Sequence, residues 1–176
     1  FLAAPFAGGV EVFQAKTDGI DLAVAAGALG FFLVGIVAGV AAAQLTAGSG
    51  LAFPASPTTL PVSLIVIGLA VLIASFPIYR YRKQIESYKS GVRPARPNPF
   101  YAVRVMLIAR ASIFTGALFA GWHLGLVLWL VIFTAMLQSL ILRESLSLVA
   151  AVLLVVAGYL ARRNCKTPQD LDGEAA

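Results

Sequence analysis

Arg110 has the sharpest claim to chemistry in this sequence, because it stands inside an apolar run with no further Asp, Glu, Lys or Arg until Arg143. An ionisable residue within a membrane span is costly and defaults to a functional role. Arg110 lies six residues past Arg104, about 9 Å along a helix. It can therefore snorkel back to an interface at Arg104 or pair with a carboxylate at the same depth. Asp21, at the edge of another apolar run, is the expected partner. His123 is the sole histidine, and an imidazole is the side chain that titrates near neutrality. A proton relay would need a chain of Asp, Glu or His. No acid falls inside an expected span, so His123 reads as a hydrogen-bonded residue near the outer interface beside Trp122.

Other chemistries find no carrier. The single cysteine, Cys165, excludes an intramolecular disulfide and a Cys-rich metal site. One histidine excludes a multi-His site. The phosphate-binding G-x-x-x-x-G-K-[ST] loop, the H-E-x-x-H zinc helix and the G-x-S-x-G elbow are all missing. The sequence thus predicts no catalytic residues, no metal and no cofactor. Between residues 80 and 104 there are seven basic residues (Arg80, Arg82, Lys83, Lys89, Arg93, Arg96, Arg104) against one acid, Glu86. Tyr79, Tyr81 and Tyr88 interleave with them. Such a patch suits an anionic lipid surface and fixes orientation by the positive-inside rule. The bilayer accounts for this charge and for the net +5 and pI near 9.7, which leaves no call for nucleic acid.

Composition identifies the elements that position these residues. The chain has 176 residues, of which 60% are hydrophobic and 12% charged, and its mean hydropathy is +0.89. Soluble domains carry about 25% charge. Residues 22–79, 111–142 and 145–161 contain no Asp, Glu, Lys or Arg, and a span needs about 20 mostly apolar residues. A soluble enzyme, a disordered chain and a disulfide scaffold are excluded. The expected fold is an all-α membrane protein with four transmembrane helices at about 22–45, 62–79, 103–133 and 145–161. A tail, 1–20, precedes this 21–163 domain, because Pro5, Gly8, Gly9 and Gly19 interrupt any long pattern. A second tail, 164–176, follows it. Pro77 is expected to kink or end the second helix. Asn98 and Pro99 suit the cap and first position of the third.

The third apolar run is long for one span. It forms either one tilted helix or, with a break near Gly121–Gly125, two. Charge favours one: with four spans both termini are cytoplasmic, and Arg162, Arg163 and Lys166 join the basic loop inside. Small residues line two of the helices: Gly35, Gly39 and Ala43 in the first, and Ser112, Gly116 and Ala120 beside Ala117, Gly121 and Gly125 in the third. At this spacing they let helix backbones approach closely. Two stripes on one helix can serve two neighbours at once.

The block Ala109–Ser112, Gly116-Ala117, Gly121, Trp122 and Gly125, with Asn98-Pro99 and Arg104 before it and Cys165–Pro168 after it, resembles an actinobacterial membrane-protein family. That family is known as domain of unknown function 3180. The resemblance covers about residues 17–170 and implies a small four-helix protein of a bacterial plasma membrane. It implies no activity. Together with the small-residue stripes, it leads us to expect no enzyme but an accessory or structural subunit that packs on other membrane proteins or on itself. The alternative is a small dimeric transporter, for which a membrane-embedded carboxylate is the missing part.

Overall fold

The computed structural model describes residues 5–86, 98–133 and 138–165. Four helices account for nearly all of them: α1 Pro5–Ser49, α2 Thr59–Glu86, α3 Pro99–Phe133 and α4 Gln138–Cys165. Each contains a stretch long and apolar enough to cross a membrane: Asp21–Ser49, Thr59–Ile85, Phe100–Phe133 and Gln138–Cys165. Large apolar side chains such as Leu22, Val37, Ile73, Leu107, Ile132 and Leu146 face outward. The buried positions are mostly small, including Ala43, Ala109, Ala120, Ala151, Ala157 and Ala161. This inverts a soluble core, as expected where lipid solvates apolar groups and helices associate by close packing.

Two sequence expectations meet a different outcome, and two open alternatives are narrowed. The expected tail does not separate from the first span, because α1 is helical from Pro5. Proline is tolerated in a first turn, and a glycine inside a helix costs only about 1 kcal/mol, less than the following span supplies by propagation. Pro77 does not end α2, which continues to Glu86. A displaced ring loosens carbonyls in the turn before it, and the Tyr101 hydroxyl donates to one of these, Ala74 O, at 2.7 Å. The fourth helix begins at Gln138 rather than near 145, which carries Glu144 into it. The third run is one helix, and Gly121–Gly125 is not a break in it. Asn98 does cap that helix, accepting from Phe100 N at 3.0 Å.

α3 is the centre of the bundle, with α1 on one side and α4 on the other; α2 packs mainly on α4. The backbones of α1 and α4 nowhere approach closely among the described residues. α1 runs parallel to α3: Gly27 lies against Phe114, Gly35 against Trp122 and Gly125 against Val40. α4 is antiparallel to α3, with Gly116 against Ala151 and Gly158 against Ala109. Leu64 clusters with Ala150, Ala151 and Leu154, and Asn164 reaches Ser75, so α2 runs parallel to α4. The α1 and α3 spans thus start at the end where α2 and α4 finish. Most of the basic residues of these helices collect at that end, while Arg143 and the α1–α2 loop lie at the other.

Candidate functional site

At the end opposite the basic one, three side chains from three elements meet in the buried interior. His123 comes from α3, Glu144 from the first turns of α4 and Ser56 from the loop before α2. His123 and Glu144 have no exposed surface and Ser56 is buried. Glu144 Oε1 accepts from the Ser56 backbone N–H at 2.9 Å, and Oε2 accepts from the Ser56 hydroxyl at 3.1 Å. His123 Nδ1–H donates to the same Oε2 at 2.8 Å. Ser56 Oγ also stands 3.4 Å from Nδ1. The imidazole stacks on Phe119, with centroids 6.3 Å apart. Its other nitrogen, Nε2, is buried and meets no partner among the described residues.

This geometry argues about chemistry directly. In a nucleophilic triad the hydroxyl and the acid contact opposite nitrogens of the imidazole, so that a proton can pass through the ring. Here both lie on Nδ1, and Ser56 spends its proton on the carboxylate. The arrangement instead fastens a loop: one carboxylate takes up two donors of Ser56 and one of His123, tying the α1–α2 connection to α3 and α4. A carboxylate and an imidazole in contact can also exchange a proton.

Neither Ser56 nor Glu144 was marked by the sequence reading. The signal for Glu144 was present: it is the lone acid between residues 111 and 161. The antiparallel pairing of α3 with α4 places Glu144 within reach of His123. Ser56 carries no such signal.

At the basic end the expected pairing is corrected. Asp21 does not pair with Arg110. Its Oδ1 lies 2.6 Å from Arg162 Nη2, because α1 and α4 flank α3 and turn their charged ends toward each other. The contact is an ion pair by proximity. Arg162 is only 4% exposed, and its Nε meets no partner among the described residues. Arg110 is half-buried and its Nε is likewise without a partner there. Arg82 Nη1 donates to the Arg163 carbonyl at 3.5 Å.

Above this end opens a groove of about 770 Å³, walled by α1 and α4 and floored by Ile113, Ala117 and Ala120 of α3. Asp21, Arg82, Arg162 and Arg163 line its charged end. Of the remaining patch, Arg80 lies over the Phe76 ring at 5.6 Å, and Lys83 and Arg104 are exposed. Lys89, Arg93 and Arg96 lie outside the described residues, as does the chain after Cys165.

The expected packing glycines meet neighbours inside the chain. A Cβ at Gly121 would strike the Phe32 carbonyl, and one at Gly35 the Leu118 carbonyl. Gly39 lies on Trp122 and Gly125 on Ile36. Gly116, on the other stripe of α3, lies on Ala151 and Val155 of α4. The two neighbours served by α3 are therefore α1 and α4.

A family model described as "Protein of unknown function (DUF3180)" matches residues 23–169. No curated protein and no solved structure matches the chain.

Proposed function

The chain belongs to the DUF3180 family, and we propose that it is a non-catalytic accessory or structural subunit, held in an actinobacterial plasma membrane with both termini in the cytoplasm. One observation carries this reading. α1 is attached along one face only: Gly35, Gly39 and Ala43 are its buried residues among those described. Its opposite side, with Leu29, Leu33 and Val37, is exposed. At 45 residues the helix is about 68 Å long, against a hydrocarbon core of about 30 Å. A long helix bound on one face presents the rest of its surface to a neighbouring membrane protein or a second copy. The small-residue stripes no longer support the reading, since α1 and α4 occupy them. The seven basic residues between 80 and 104 support the orientation.

Extraction in mild detergent, followed by mass spectrometry of what co-purifies, tests the role. A stoichiometric membrane partner or a second copy is expected, and a lone monomer speaks against it. Thiol labelling tests the orientation. A cysteine introduced between Thr46 and Pro61 should react from outside intact cells and Cys165 only after permeabilisation. External labelling of Cys165 would sink the cytoplasmic placement.

A second reading, a small dimeric transporter, gains from the buried His123–Glu144 contact, which supplies the carboxylate that proton coupling needs. Proton-driven flux in proteoliposomes that disappears with Glu144→Gln would establish it. Flux that survives the change would remove it.

A further inference from the structure

We propose that the groove between α1 and α4 is a binding site for one anionic phospholipid, its phosphate at the arginine end and its acyl chains along the apolar walls. The proposal stands apart from the accessory-subunit reading. Charge, burial and length each point to this occupant.

Among the described residues, three guanidiniums, Arg82, Arg162 and Arg163, and one carboxylate, Asp21, line the groove where it reaches the basic end. Among the described residues the mouth therefore carries more guanidinium than carboxylate, with Asp21 paired to Arg162. Arg162 is 4% exposed and keeps a buried Nε–H without a partner among the described residues. A buried donor left unmet is costly, and a phosphate oxygen is the acceptor that guanidinium geometry suits. Beyond the arginines the lining turns apolar, with Ala28, Phe32, Ala117, Val152 and Val156.

Length separates a lipid from a helix. The groove runs from Asp21 to Phe32 on α1 and from Arg163 back to Val152 on α4. Each path is about 16 Å at the helical rise, about half of the 30 Å hydrocarbon core. That is the depth of one leaflet, the reach of a phospholipid's acyl chains from its headgroup. A partner helix would need the full thickness, whereas the groove's lining ends at Phe32 on α1 and Val152 on α4.

Native mass spectrometry of the full chain, purified in detergent and offered equal phosphatidylglycerol and phosphatidylcholine of identical chains, tests the proposal. One phosphatidylglycerol per chain should be retained, at several-fold preference. Arg163→Gln should weaken that retention about fivefold, the share of one basic residue near an anionic headgroup. Ala28→Phe leaves every charge in place and blocks the apolar length, so it should abolish the stoichiometric adduct. Millimolar inorganic phosphate should not displace the lipid. Equal retention of the two lipids by the unaltered chain would overturn the proposal, as would an undiminished adduct in Ala28→Phe. Displacement by inorganic phosphate would overturn it in favour of a free-anion site. A lipid-free dimer would overturn it in favour of a second copy.

Discussion

α3 holds its two neighbours by different means. Against α1 it offers apolar shape: Gly121 and Gly125 lie on the carbonyls of Phe32 and Ile36, and Phe114 meets Phe31 with ring centroids 5.5 Å apart. Against α4 it offers shape and chemistry: Gly116 and Gly158 bring the backbones close, and His123 adds a buried contact to Glu144, which in turn captures Ser56. A seam of shape alone depends on each glycine and leaves room at its flank, which is where the groove opens. A seam with a buried polar cluster closes fully but becomes sensitive to the loss of any one partner.

The largest effect should come from breaking the polar seam. Glu144→Ala takes the carboxylate acceptor from the Ser56 N–H, the Ser56 hydroxyl and His123 Nδ1 in a buried site. Removing one partner of such a pair costs about 3–5 kcal/mol, measurable as unfolding in detergent. A loss below about 1 kcal/mol would show that water reaches the cluster and that the two seams differ less than the geometry states.

Next in size is the shape-only seam. Gly121→Leu forces α1 and α3 apart and should cost about 1–3 kcal/mol or more. Leu128→Ala, at an outward-facing position, should change little. Equal melting temperatures for the two variants would remove the case for backbone contact.

Ser56→Ala sharpens the comparison from the polar side. It deletes the hydroxyl while keeping the backbone N–H on Glu144, so a loss of about 1 kcal/mol is expected. A loss as large as that of Glu144→Ala would mean the hydroxyl, not the backbone, anchors the loop.

The smallest effect concerns the charged tether that supplements the α1 seam. In a double-mutant cycle, Asp21→Asn and Arg162→Gln should couple by about 0.5–1 kcal/mol, since Asp21 is partly exposed. Asp21→Asn and Arg110→Gln should be additive. Coupling confined to the Arg110 cycle would restore the pairing that the fold does not form.

Much of the fold was legible in the chain. The charge-free stretches at 22–79, 111–142 and 145–161 set four apolar crossings, because hydrocarbon tolerates few charges whatever the tertiary arrangement. The cap at Asn98 and the small-residue stripes were legible for the same reason: each depends on local backbone geometry and spacing. The sequence also singled out Asp21, Arg110 and His123 as costly residues. Which of them meet was decided only by tertiary structure. Periodicity places a residue on its own helix, but helix order around the bundle and rotation about each axis arise from packing between distant segments. Making α1 and α4 the two walls of one groove on α3 hands Asp21 to Arg162 instead of Arg110. Starting α4 at Gln138 turns Glu144 from a turn residue into a buried ligand of His123 and Ser56.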